Sequence, residues 1–92
     1  MVTAFVLISI EDKKLQGIGD ALLELPGVKE VHVVAGEYDM VAVLRVGSNA
    51  ELSQLLTEKL IHIPGVHRTK TLISLESFSE VDLAQAFGVE KT

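Results

Sequence analysis

Leu25-Pro26-Gly27-Val28 returns thirty-eight residues later as Ile63-Pro64-Gly65-Val66, and this pair of tetrapeptides decides how the chain is read. In each, proline removes a backbone donor and glycine tolerates a reversal, so each ends one element and opens the next. Upstream of the first, Leu15, Ile18, Leu22 and Leu25 recur at spacings of three and four, the stripe of an amphipathic helix. Upstream of the second, Leu52, Leu55, Leu56 and Leu60 form a matching stripe. Ser48-Asn49-Ala50-Glu51 opens that second helix as a capping box, in which serine accepts from the glutamate's amide and the glutamate reaches back. The first helix begins near Glu11 or Asp12, whose carboxylates suit the positive end of its dipole. Gly17 and Gly19 weaken it by about 1 kcal/mol each relative to alanine, so it relies on packing.

Strands fill the remainder. Val2 to Ile10 is apolar and β-branched; Val31 to Ala35 and Met40 to Val46 flank the short turn Gly36-Glu37-Tyr38-Asp39 as a hairpin; Val66 to about Ser77 is the fourth strand. At the same offset the first strand falls on the third, the first helix on the second, and the second strand on the fourth. Two strand–helix–strand units in tandem, joined by right-handed crossovers, give an α+β chain of βαββαβ order. This is a ferredoxin-like sandwich: a four-stranded antiparallel sheet with both helices on one face. Ninety-two residues suit one domain, with its core over 1–77 and an extension over 78–92. Within the extension, Ser79-Glu80-Val81-Asp82 reads as the start of a short C-terminal helix running through Phe87 and closed by Gly88.

A sheet wet on one side alternates apolar and polar residues. Here Phe5 and Leu7 are interleaved with Val6 and Ile8, and Met40, Ala42 and Leu44 with Val41 and Val43, so both faces are apolar. Helices cover only one of them. A chain this short has a thin core, yet 48% of its residues are hydrophobic. The second face therefore calls for another copy, in closed two-fold symmetry, an assembly of the dimeric α/β-barrel type. The C-terminal helix is expected to drape onto a neighbouring subunit.

A net charge of −5 without a basic stripe argues against a nucleic-acid surface. Lys13-Lys14 and Arg68/Lys70 read as solvated edges. The lack of cysteine rules out disulfides, thiolate metal sites and redox pairs, and fits a cytoplasmic protein. No charged leader precedes the first apolar run, and nothing approaches the ~18 consecutive apolar residues of a membrane helix. His32, His62 and His67 lack metal-ligand spacing, and no serine sits in a nucleophile elbow. Arg45, which interrupts the apolar third strand, reads as structural. The sequence carries no recognisable catalytic centre and implies no cofactor.

Gly36-Glu37-Tyr38-Asp39-Met40 resembles the Gly-x-Tyr-Asp turn of the ligand-binding domain of Lrp/AsnC transcription regulators, the module named RAM for regulation of amino acid metabolism. Leu52 and Leu55-Leu56, then Ile63-Pro64-Gly65-Val66, then Thr69-Lys70-Thr71-Leu72-Ile73, similar to the family's Thr-x-Thr strand, follow in the same order. The resemblance covers roughly Met1 to Ser77. It implies a βαββαβ fold, dimers pairing sheet to sheet, assembly into octamers or larger rings, and a free amino acid bound between dimers near this turn. By that resemblance the turn amides hold the ligand's carboxylate, and Asp39 or a nearby acceptor its ammonium. Family regulators carry an N-terminal helix-turn-helix, whereas here the first residues already form a strand. The expectation is a stand-alone effector domain that does not itself read DNA but co-assembles with a full-length regulator of this type.

The residues singled out as ligand-binding are Gly36, Glu37, Tyr38, Asp39, Met40, Thr69 and Thr71. Glycine allows successive N–H groups to converge on an anion, although Asp39 would equally cap its own turn. Tyr38 would wall a pocket or pack at an interface. Thr69 and Thr71 share a parity, so their hydroxyls project from one face toward another subunit's turn, or serve only β-propensity at a sheet edge. The alternative from another class is a cofactor-free monooxygenase or isomerase of the dimeric α/β-barrel type. That enzyme needs a pocket between sheet and helices holding a proton-transferring residue. An ACT-type amino-acid domain shares the topology, but the junction Ile10-Glu11-Asp12-Lys13 lacks the glycine such domains place beside their ligand.

Overall fold

The structure, a computed structural model, describes residues 1–11 and 15–79. Their elements run β1 (Val2–Ile10), α1 (Leu15–Leu23), β2 (Val28–Val33), β3 (Met40–Val46), α2 (Asn49–Glu58), a 3-10 turn (Leu60–His62) and β4 (Val66–Ile73). The strands form one antiparallel sheet in the order β2-β3-β1-β4, as two interleaved strand–helix–strand units require. The start of α1 near Glu11 or Asp12 and the C-terminal helix lie outside or at the limit of the described residues.

The tandem repeat is visible atom by atom. Leu22 and Leu60 are both fully buried, and Leu25 and Ile63 donate to their carbonyls at 3.1 and 3.2 Å. Val28 and Val66 then donate to Leu25 and Ile63, each at 3.1 Å. Gly27 and Gly65 adopt φ values of 101° and 98°, the left-handed region that glycine enters without steric penalty. Each also sits where a side chain would collide. A Cβ on Gly27 would lie 2.8 Å from Val46 Cγ1, and one on Gly65 would lie 2.6 Å from Ile18 Cδ1.

Along β1 the helix-facing residues Ala4, Val6, Ile8 and Ile10 are buried, and along β3 so are Met40, Ala42, Leu44 and Val46. Ile18 and Leu22 of α1, and Leu52 and Leu55 of α2, close over them. The capping box forms with one change. The Glu51 amide donates to Ser48 Oγ at 3.2 Å, but the Glu51 carboxylate reaches the amide of Gly47, at 3.1 Å, rather than that of the cap itself.

Two strand boundaries differ from expectation. β2 starts at Val28, three residues early, because the turn hands the chain directly to Leu44 of β3, with an irregularity between Val28 and Glu30. It stops at Val33, where the Val34 amide turns to the carbonyl of Asp39. β4 ends at Ile73 instead of Ser77. It is an edge strand with β1 as its one neighbour: Ile73 faces Ala4, the Ser74 amide takes the carbonyl of Thr3, and at that register nothing of β1 is left for Ser77 to face. Beyond that point Leu75 and Phe78 are 94% and 85% exposed.

The sheet face away from the helices carries Phe5 and Leu7 of β1, Val41 and Val43 of β3, and Leu72 of β4, in adjacent register. Glu30 and His32 lie beside Val43 and Val41 on the β2 rim, while Arg68 and Lys70 lie beside Ser9 and Leu7 on the β4 rim. The apolar centre expected from the sequence is therefore present, framed on one side by Glu30, which is paired with His32 at 2.8 Å, and on the other by Arg68 and Lys70.

Candidate functional site: the turn between β2 and β3

The turn from Gly36 to Asp39 lies at the end of the sheet where β1 finishes. Asp39 anchors it. Its amide donates to the carbonyl of Ile8 at 2.9 Å, and its own carbonyl accepts from Val34 at 3.0 Å. Its Oδ2 accepts from the backbone amide of Ile10 at 2.7 Å. Its carboxylate thereby caps the backbone of β1, twenty-nine residues away in sequence.

The amides of Gly36, Glu37 and Tyr38 make no hydrogen bond to the described residues. Gly36, at φ 154° with open space where a Cβ would be, leaves the backbone accessible from outside. Successive N–H groups are the element from which anion-binding concavities are built. Glu37 is exposed at the tip of the turn, and Tyr38 and Asp39 are half-buried at its base.

The other candidate residues are distributed unevenly. Met40 follows Asp39 directly, but its side chain is buried on the helix side, with its Cε 3.6 Å from a Cβ built on Gly19. Thr69 lies in the same cross-strand row as Ile8 and Met40, and Thr71 two residues farther along faces Val6. Both threonines thus share the helix-side face. Thr71 joins Asn49, Leu52, Ser53, Leu56, Thr57 and Ile73 around a groove of about 360 Å³ between α2 and β4. Within one subunit, then, the structure brings Gly36–Asp39 together with the end of β1, while Thr71 belongs to a separate groove. The groove's side-chain polar groups are hydroxyls and an amide, with no acid, base or histidine for proton transfer. Among the described residues no group of three or more His, Asp or Glu side chains is placed to hold a metal ion, and no helix is long and apolar enough to cross a membrane.

The residue that the sequence reading missed is Ile10, whose contribution is a backbone amide. A second link of the same kind joins the Glu11 amide to the carbonyl of Gly65 at 2.9 Å. The β2–β3 turn, the end of β1 and the second Pro-Gly turn are thereby tied into one corner.

This architecture has close counterparts. The chain is 38% identical over 81 residues to the helix-turn-helix-type transcriptional regulator PF0250 of Pyrococcus furiosus, covering 85% of this chain and 54% of that protein. It spans about half the length of the curated relatives it matches. The crystal structure of TTHA0845 from Thermus thermophilus superposes with a TM-score of 0.80 at 40% identity, over 87% of this chain and all of that one. The feast or famine regulatory protein Rv3291c of M. tuberculosis, solved in complex with L-methionine, superposes with a TM-score of 0.74 at 28% identity, over 87% of this chain and 54% of that one. Residues 3–83 match the Lrp/AsnC ligand binding domain along their length, and with the fold, the repeat and the turn all in place, the chain belongs to that family.

Proposed function

We propose that this chain is a non-enzymatic effector-sensing module that binds a free amino acid at the Gly36–Asp39 turn and acts through self-assembly. The observation that carries the reading is the set of unengaged amides at Gly36, Glu37 and Tyr38, in a family whose M. tuberculosis relative was solved with L-methionine. These amides receive the ligand's α-carboxylate. Tyr38 walls the site, and Thr69 and Thr71 of a neighbouring copy, with Met40 supporting the turn from beneath, complete the set first read from the sequence.

Assembly starts from the open sheet face. A closed two-fold pairs like with like, so the apolar centre around Phe5, Val43 and Leu72 meets its own copy. Laying the β2 rim on the partner's β4 rim sets Glu30 against Arg68 and Lys70, which fixes orientation more than it adds affinity. Dimers then join into octamers or larger rings, with the turn at the contact between them. A ligand there shifts assembly only by its differential affinity for the assembled state. With a net charge of −5, these 92 residues make no direct contact with DNA. They influence transcription in the cytoplasm by co-assembling with a full-length Lrp/AsnC regulator.

Calorimetric titration of the twenty amino acids, paired with solution mass measured with and without each, tests this reading. Micromolar to millimolar binding of at least one amino acid, with a change in assembly, is the expected result. A chain that binds none of the twenty would sink it.

A further inference from the structure

Asp39 occupies the place of a missing strand residue. In an antiparallel ladder the carbonyl of one residue and the amide of the residue two positions on point to the same side. On the β3 side of β1 those groups are the carbonyl of Ile8 and the amide of Ile10, but β3 begins only at Met40, opposite Ile8. Asp39 fills the gap with two different parts of itself. Its backbone amide meets the Ile8 carbonyl at 2.9 Å, and its carboxylate meets the Ile10 amide at 2.7 Å, standing in for the next ladder carbonyl. On the other side of the strand, the pairing of β1 with β4 shifts register between Ser9 and Ile10. Ile10 is thus the point where β1 leaves the sheet, and the Asp39 side chain holds it there.

A carboxylate hydrogen bond of this length to a backbone amide is charge-assisted and among the stronger ones in a protein. Withdrawing Oδ2 toward a ligand would strand the Ile10 amide. Glu37, in contrast, is exposed two residues earlier on the same turn and makes no hydrogen bond or ion pair with the described residues. It belongs to the same turn as the unengaged amides.

From this geometry we infer that Asp39 is a positioning residue, which shapes the turn by continuing the β1 ladder through its side chain, and that Glu37 supplies the carboxylate for the effector's ammonium. This rests on the amino-acid reading above and divides its labour between two acidic residues. Both variants of Asp39 are informative, because asparagine keeps an acceptor oxygen and loses only the charge, whereas alanine loses both.

The experiment titrates the full chain and its Asp39→Asn, Asp39→Ala and Glu37→Gln variants with L-methionine, or with the tightest binder of the twenty amino acids. Exchange of the Ile10 amide is followed by NMR in the same samples. Asp39→Asn is expected to bind within a few-fold of the parent and to keep Ile10 protected. Asp39→Ala should bind at least about tenfold more weakly and release the Ile10 amide, the loss of roughly one charge-assisted hydrogen bond. Glu37→Gln should weaken binding by about as much while leaving Ile10 exchange unchanged. If Asp39→Asn loses affinity as fully as Asp39→Ala, Asp39 acts through its charge and the assignment is overturned. Parent-like binding by Glu37→Gln overturns the role of Glu37. Should the parent bind no amino acid at all, the effector reading and the Glu37 role fall together, while Ile10 exchange still judges Asp39: unchanged protection in Asp39→Ala overturns the positioning role.

Discussion

Replacing Phe5 by alanine removes a ring from the middle of the open sheet face, and its effect on self-association can be worked out from the subunit alone. Phe5 is 37% exposed in the isolated chain, between Val43 of β3 and Leu72 of β4. A phenylalanine side chain buries roughly 200 Å² when fully covered, so roughly 75 Å² is left for a partner. At about 25 cal/mol per Å² this is about 2 kcal/mol. A two-fold interface contains the residue twice, which makes about 4 kcal/mol per dimer and weakens the dimer roughly a thousandfold. The assay is sedimentation equilibrium across a concentration series, with circular dichroism confirming that the variant stays folded. A folded variant whose dimer dissociation constant moves by less than about tenfold would refute the assignment of this face as the interface.

The paired Pro-Gly turns give a graded comparison by urea unfolding. Gly27→Ala combines left-handed strain with a 2.8 Å approach to the stiff, β-branched Val46 and a 3.3 Å approach to Leu55, so a cost of about 3 kcal/mol is expected. Gly65→Ala meets the end of a single side chain, Ile18 Cδ1 at 2.6 Å, with Cγ1 at an ordinary 3.4 Å, and should cost about 2 kcal/mol; a greater loss at Gly65 than at Gly27 would contradict this. Gly17→Ala places its methyl in open space on α1, and a gain of about 0.5–1 kcal/mol in the same assay is expected. Ser48→Ala removes the acceptor for the Glu51 amide and should lower stability by about 1 kcal/mol, which a melting-temperature series would detect.

The repeat made the architecture readable because its signals are local. Proline and glycine act within a turn, and Leu22 and Leu60 take equivalent buried positions since the residues around each dictate it. The double-sided apolar character of β1 and β3 likewise showed that a second apolar face exists, but that Phe5, Leu7, Val41 and Val43 form it follows from the burial of the other parity under the helices. Boundaries that depend on a distant strand were less legible. Nothing between Ile73 and Ser77 indicates that β4 must stop; that pairing cannot extend to Ser77 follows from where β1 begins. The site was legible as a turn but not as a mechanism. The partner of Asp39 is a main-chain amide far away in sequence, and every residue but proline has one, so no side-chain pattern could mark Ile10. The parity of Thr69 and Thr71 was clear, but which side of the sheet they occupy follows only from the register with Ile8 and Val6.

The placement of β1 has a consequence for how the domain is made. It precedes both of its partners in the chain and is one of two central strands, yet those partners are β3, whose Val46 faces Val2, and β4, whose Ile73 faces Ala4. During synthesis, at roughly 5–20 residues per second, this greasy segment waits seconds for its second neighbour. Long-range pairing of this kind is slow and leaves strand edges open to mispairing in the meantime. Slowed translation between the codons for Val46 and Ile73 should therefore lower the yield of soluble protein more than the same delay placed after Ile73.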